Sequence, residues 1–325
     1  VTHADAGPPP IRTAGVIGAG TMGAGFVQVL ALAGVSVRIA DASPEHAEAG
    51  RGRAIALAQA FERDRLMAAG SADAIAERTV AVASPREAAA DAEFVLEAVA
   101  EDPEVKRGVL AELEAGAAEA CILATNTSAI PIRVLAEGLR RPERFLGVHW
   151  FNPPQWVPGV EVIPGERTRP EVVSRVREIL VALGKEPATV GDSAGFVGNR
   201  IQFAMFKEAA SVVADGVATA EEVDRVVRST FGFRLPFFGP FMIADMAGLD
   251  VYAGAYAALE KDLGPRFAVP ESVRALVDAG RLGTKSGGGY LDLDPAEVAR
   301  IVAERDALYV ALSRLVAERD AAADA

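Results

Sequence analysis

From Thr13 onward, short runs rich in β-branched residues alternate with segments whose apolar positions recur every three or four residues. The runs AGVIG (14–18), VSVRIA (35–40), TVAVA (79–83), EFVLEAV (93–99), CILAT (121–125), FLGVH (145–149) and VEVI (160–163) read as strands. Short apolar runs bounded by turn residues suit a sheet buried on both faces. Between the first two, Met22, Phe26, Val29, Leu30 and Ala33 keep helical spacing. Residues 44–69 read as a long arginine-bearing helix or a helical hairpin. The alternation implies an α/β chain with a Rossmann-type, doubly wound, mostly parallel sheet covered by helices on both faces.

After PATVGDSAGFVGNR (187–200) the pattern changes. Asp192 or Ser193 can cap a helix from about 196 to 214, with Val197, Ile201, Ala204, Met205 and Val212 on one face. Beyond it only helical periods follow. The expected organisation is a flexible tail over 1–10, a dinucleotide-binding domain over 11–191 and a smaller all-α domain over 192–325. The opening VTHADAGPPP lacks the basic start and apolar core of a signal segment, and the closing AERDAAADA reads as frayed. No apolar run reaches membrane-spanning length, so no membrane partner is expected.

Half of the 325 residues are hydrophobic, enough for a sizeable core. The formal charge of −12 argues against nucleic acid as a bulk electrostatic partner. An anionic ligand must therefore be held by backbone dipoles or a few placed cations. The one cysteine, Cys121, excludes an internal disulfide and points to the reducing cytoplasm. Its place in CILAT reads as a buried structural thiol, and no metal site is expected.

Residues 18–23, GAGTMG, fit G-x-G-x-x-G. The motif follows a strand and opens a helix, and Asp41 ends the next strand twenty-one residues after Gly20. Gly18 permits the tight turn, Gly20 lets the backbone approach a pyrophosphate, and Gly23 allows close helix–strand packing. Ala19, Thr21 and Met22 complete the loop, whose helix start offers unpaired N–H groups to phosphate. Asp41 suits the adenosine ribose hydroxyls and repels a 2′-phosphate. With no arginine after it until Arg51, NAD is expected over NADP.

The stretch FLGVHWFNPPQWVPGVEVI (145–163) sets His149 at the end of one strand and Glu161 inside the next. Two ionisable groups in apolar runs call for partners, and each is the obvious partner of the other. Glu161 would bond one ring nitrogen, fix the tautomer and leave the second nitrogen free to exchange a proton. Of the other histidines, His3 lies in the tail and His46 in an Ala/Glu-rich segment, and both read as bystanders. Hydride removal from an alcohol needs a base for the hydroxyl proton and hydrogen-bonding groups for the oxygen. TNTS (125–128) and Asn199 can supply the latter. Equally, TNTS can cap the helix that follows, and Asn199 can be a surface helix residue.

In order along the chain, GAGTMGAG, EAVAED (97–102), NTS (126–128), HWFNPP (149–154), VEVI, GFVGNR (195–200), FFGPFMIADMAGLD (237–250) and GTKSGGGY (283–290) resemble the 3-hydroxyacyl-CoA dehydrogenase family over residues 11–291. The resemblance implies a Rossmann domain and a helical domain that commonly forms a dimer contact. It implies His149 as general acid/base, Glu161 as its orienting partner, and Ser128 and Asn199 around the reacting oxygen and the histidine. It also implies Asp41 on the adenosine ribose, with Glu101, Lys106, Ser128 and Asn152 along the nicotinamide half of NAD. Lys285 is implied to reach the cofactor from the second domain, against the alternative of a solvated lysine beside a glycine-rich turn.

Departures fall on the substrate side. The family's helical hairpin usually carries lysine and serine that meet CoA, where this chain has Leu57 and Asp64. Arg51, Arg53, Arg63 or Arg65 would have to substitute. Ala129 replaces a common second serine, and Trp150, replacing phenylalanine, is expected to narrow the acyl pocket. The leading expectation is an NAD-dependent dehydrogenase interconverting an (S)-3-hydroxyacyl thioester, CoA-linked, with its 3-oxo form in fatty acid metabolism. The alternatives are the same chemistry on a free 3-hydroxy acid or a carrier-protein-bound acyl group, and an NAD-binding structural or regulatory protein without turnover. The lysine-dependent 6-phosphogluconate-like dehydrogenases fit less well, because they do not use a histidine–glutamate strand pair.

Overall fold

The computed structural model describes residues 9–323, so His3 and most of the expected 1–10 tail lie outside the described residues. The chain forms two compact units, one up to Met205 and one from Phe206, and each is taken by itself.

The first unit runs β1 (Thr13–Ile17), α1 (Thr21–Leu32), β2 (Ser36–Ala40), α2 (Pro44–Arg63), α3 (Ser71–Arg78), β3 (Thr79–Ala81), α4 (Pro85–Ala89), β4 (Phe94–Glu97), α5 (Pro103–Gly116), β5 (Ile122–Thr125), α6 (Ile132–Leu135), β6 (Phe145–Trp150), β7 (Gly159–Pro164), α7 (Pro170–Ala182) and β8 (Glu186–Thr189). The eight strands form one sheet in the order β3-β2-β1-β4-β5-β6-β7-β8. All neighbours are parallel except β6 and β7. The order reverses direction between β1 and β4, the crevice where doubly wound sheets bind ligands beyond their carboxyl ends.

Two apolar layers sandwich the sheet. Phe26, Leu30, Ala54, Ile75, Trp150 and Val176 mark one; Val95, Leu110, Leu135, Phe145, Ile163 and Phe196 mark the other. Complete burial of such a side chain stabilises by about 1.5–3 kcal/mol, so each helix is held mainly by the face it gives the sheet. Helix starts follow local chemistry. The Ser43 side chain accepts from His46 N–H at α2, and Asp102 accepts from the N–H groups of Glu104 and Val105 at α5, each ahead of a proline. Cys121 is buried, and burial pushes its thiol pKa up to about 12, as an inert structural thiol requires.

Segment 44–69 resolves into α2 and a turn before α3. The strand β8 is absent from the sequence-based expectation because Glu-Pro-Ala-Thr is mostly exposed and nearly free of large apolar residues. Asp192 does not cap the helix after it: its carboxylate accepts from Ile132 N–H and Arg133 N–H at α6. Helix α8 (Gly198–Ala214) begins two residues later than expected, since Phe196 sits at φ +49° outside helical space. The compact units divide within α8, the start of which is tied to the first unit by Glu161 and Ser128.

Apart from the end of α8, the second unit holds α9 (Ala220–Ser229), α10 (Phe231–Arg234), α11 (Pro240–Ala247), α12 (Leu249–Leu263), α13 (Glu271–Asp278) and α14 (Pro295–Ala323). Among the described residues it has no strand, only isolated bridges around Gly288. Buried Asp245 organises the glycine-rich turn by accepting from Tyr290 N–H and Leu291 N–H. Residues 317–323, expected to be frayed, continue α14, which has Tyr309 packed against Phe233, Phe237 and Phe238. No described helix is long and apolar enough to cross a membrane.

Candidate active site

The loop 18–23 joins β1 to α1. Gly18 has φ +97°, and a Cβ there would lie 2.4 Å from the Ala98 carbonyl oxygen. At Gly23 a Cβ would lie 1.8 Å from Gly18 O, whereas at Gly20 it would meet only open space. The loop is thus tight where it packs and bare at its middle glycine, where a pyrophosphate can reach the backbone. No side chain caps α1, so the N–H groups at Thr21 and Met22 remain for an anion. The residues fit a dinucleotide. Asp41, at the end of β2, braces the loop: Oδ2 accepts from Ala19 N–H at 2.6 Å and Oδ1 from Ala42 N–H at 2.6 Å.

The ends of β4 and β5 carry a buried polar network. Glu97, fully buried, accepts from Val99 N–H (2.7 Å), Lys106 Nζ (2.8 Å) and Thr125 Oγ1 (2.6 Å). Lys106, expected along the nicotinamide, is 1% exposed; it donates to Glu97 and Val99 O and lies 3.5 Å from Glu101. Glu101 accepts from Thr127 Oγ1 (2.6 Å), Ser128 N–H (2.8 Å) and Ala129 N–H (3.0 Å). Partial burial raises its pKa, but Thr127, Ser128, Lys106 and Ala129 outweigh that and hold it below the usual carboxylate value. TNTS is consequently a loop pinned to Glu101, and the N–H groups of α6 go to Asp192 instead. The Ser128 hydroxyl makes no protein hydrogen bond, while Ser128 O accepts from Asn199 Nδ2 at 3.0 Å. Asn152 is exposed, with its amide unengaged.

His149 and Glu161 face each other directly across the antiparallel β6–β7 ladder. His149 Nδ1 lies 2.8 Å from Glu161 Oε2, and the residues are 3% and 6% exposed. Glu161 Oε1 also accepts from Val197 N–H and Gly198 N–H, both at 2.9 Å, at the start of α8. Burial pushes the Glu161 pKa up, but His149 and the two backbone donors together hold it below the ordinary carboxylate range. An ionised acceptor at Nδ1 assigns the proton to that nitrogen. Nε2 is left without a protein partner. Phe151 and Phe196 close on the imidazole at 4.6 and 5.7 Å between ring centroids. Gly198 permits this fit, since a Cβ there would meet Phe151 Cζ at 2.4 Å.

Trp150 does not narrow a pocket beside the base. Adjacent strand residues point to opposite faces, so its ring packs on Phe26 across the sheet from His149, with Lys185 Nζ 5.2 Å from its centroid. Arg51 is spent on Thr79 O, Ala76 O and Glu48, so it does not face a CoA handle, whereas exposed Arg53 makes one bond, to Ala19 O. Lys285 pairs with Asp250 inside the second unit. The sequence reading missed Glu97, although a carboxylate inside EFVLEAV carries the same signal that singled out Glu161.

Residues 13–193 match the 3-hydroxyacyl-CoA dehydrogenase NAD binding domain, and residues 195–293 match the C-terminal domain of the same family. The chain is a member of the 3-hydroxyacyl-CoA dehydrogenase family. As such it is an NAD-dependent oxidoreductase. Family members differ in substrate. The chain is 34% identical over 312 residues to 5-formyl-3-hydroxy-2-methylpyridine 4-carboxylate 5-dehydrogenase of Mesorhizobium japonicum, covering 94% of this chain and 98% of that one. Among solved structures it resembles a 3-hydroxyacyl-CoA dehydrogenase of Archaeoglobus fulgidus (TM-score 0.77, 31% identity, 94% of this chain and 99% of that one). It also resembles (S)-3-hydroxybutyryl-CoA dehydrogenase of Ralstonia eutropha (TM-score 0.65, 33% identity, 87% and 99%).

Proposed function

We propose that this dehydrogenase interconverts an (S)-3-hydroxyacyl thioester, CoA-linked, and its 3-oxo form. The observation that carries the reading is the buried His149–Glu161 pair with Nε2 left free. The 18–23 loop and Asp41 would hold NAD, which would supply the hydride acceptor for the carbinol carbon. In that direction His149 Nε2 takes the hydroxyl proton, and Glu161 stabilises the imidazolium that forms. In reverse the imidazolium returns the proton to the carbonyl oxygen. The unengaged Ser128 hydroxyl hydrogen-bonds the reacting oxygen, and Asn199 holds Ser128 in place through its carbonyl. Asp41 takes the adenosine ribose and Asn152 the nicotinamide side.

A second reading, a free hydroxy acid as substrate, is favoured by the α2–α3 hairpin. Leu57 and Asp64 stand where the resemblance places CoA contacts, and Arg51 is committed to Thr79 O and Ala76 O. The pyridine carboxylate named for the Mesorhizobium relative is a precedent for a substrate without CoA. Steady-state rates with NADH and acetoacetyl-CoA, its longer homologues and free 3-oxo acids separate the two. The first predicts kcat/KM highest for a thioester; a preference for free acids would overturn it.

A homodimer belongs to this reading. No residue of α8 or α9 is buried, and Phe203, Phe206 and Val217 are 64%, 67% and 75% exposed, an apolar surface that a second copy would cover. Light scattering on the eluted protein should give twice the chain mass. The cytoplasm, which keeps thiols reduced, suits Cys121.

A further inference from the structure

Helix α2 lies directly on the glycine loop. At Gly50 a Cβ would fall 2.1 Å from Ala19 Cβ, and about one turn later Arg53 Nη2 donates to Ala19 O at 2.8 Å. The N–H of the same residue is held by Asp41 Oδ2 at 2.6 Å. One loop residue, between the first two glycines, is thus gripped by an acid on its donor side and a base on its acceptor side. Asp41 and Arg53 form no ion pair with each other, and no described carboxylate pairs Arg53. The residue is exposed, and this bond engages one of five guanidinium donors. Arg51, the nearer arginine in sequence, is fully occupied against β3 and α3.

The acid at the end of β2 in this fold hydrogen-bonds the 2′-hydroxyl of NAD, whereas NADP requires a nearby arginine for its 2′-phosphate. Both groups stand at one loop residue here. We propose that Arg53 is a 2′-phosphate subsite held in reserve, and that the charge of Asp41 alone keeps the chain selective for NAD. A phosphate entering beside Asp41 meets a full like charge, while the guanidinium offers it the fork geometry that phosphate prefers. The inference rests on NAD binding alone and is independent of the substrate and of His149.

Isothermal titration calorimetry of the full chain with NAD, NADP and 2′,5′-ADP tests it without turnover. Asp41→Asn removes the charge and keeps an amide oxygen for Ala19 N–H. Relative to wild type, D41N should bind NADP and 2′,5′-ADP about 30–100-fold more tightly, with affinity falling as salt rises. D41N/R53M should lose at least about tenfold of that gain, read as the ratio of its NADP affinity to its own NAD affinity. A cooperative thermal melt certifies the fold of each variant, and Asp41→Ser, which also removes the charge, replaces D41N if that protein does not fold. No gain for NADP in the neutral variants, or a gain that persists without Arg53, overturns the proposal.

Discussion

Replacing Glu161 by glutamine alters the site at one atom. The amide oxygen can still accept from Val197 N–H and Gly198 N–H, so its NH2 group faces His149 Nδ1. A donor there requires Nδ1 to accept, which moves the ring proton to Nε2, the nitrogen that must take the substrate proton. A wrong tautomer in an acid-oriented histidine costs about 10⁴ in kcat, so E161Q should lose about 10³–10⁴, or roughly 4–5.5 kcal/mol of transition-state stabilisation. Three hydrogen bonds to a carboxylate become weaker neutral ones, at about 1 kcal/mol each, giving about 2–3 kcal/mol of stability. For a unit of this size that is a fall in Tm of about 5–10 °C. Folding favours the ionised Glu161, whose pKa is held below 4.5. Its stabilisation is therefore whole above about pH 4.5 and vanishes as pH falls through the lowered folded value, and E161Q should flatten that acid limb. The assays are steady-state NADH oxidation with the best 3-oxo substrate and thermal melts from pH 3 to 7. A variant retaining kcat within tenfold of wild type would refute the reasoning.

Other substitutions probe the supporting groups. Glu97→Gln leaves the buried Lys106 ammonium to Glu101 at 3.5 Å and Val99 O, and the weakened charged hydrogen bond should cost about 1.5–3 kcal/mol in denaturant unfolding, with E97Q/K106M recovering much of it; an unchanged midpoint for E97Q would contradict the network. Burial lowers the Lys185 pKa from 10.5 to about 8, so the unfolded chain binds more protons between those values and stability should rise with pH across that window. Lys185→Met should abolish the rise, read as unfolding midpoints at pH 7.5, 9 and 10, while losing the bonds to Pro154 O and Val157 O. Cys121 should resist an aromatic disulfide reagent at pH 8 until the chain is unfolded, since its thiol stays protonated and buried.

The strands were legible because a sheet covered on both faces writes continuous apolar runs; β8 wrote none, being exposed and proline-bearing. The glycine loop, Asp41 and the His149–Glu161 pair were legible because each breaks an apolar pattern at a spacing that chemistry explains. What local sequence did not disclose were contacts between distant segments. Asp192 serves a helix sixty residues earlier, Glu161 serves the start of α8, and Arg53 reaches back to Ala19. Trp150 lies across the sheet from His149 because neighbouring strand residues point to opposite faces, so adjacency in sequence does not put it beside the base. The family resemblance alone put Lys106 along the nicotinamide; its bonds to Glu97 and Val99 O join segments that local sequence does not connect.

The most direct test of the account is the turnover of His149→Gln with NAD binding measured on the same preparation. The account predicts NAD affinity within about threefold of wild type and a kcat lower by at least about 10³. Retention of kcat within tenfold, with the dinucleotide bound, would contradict it.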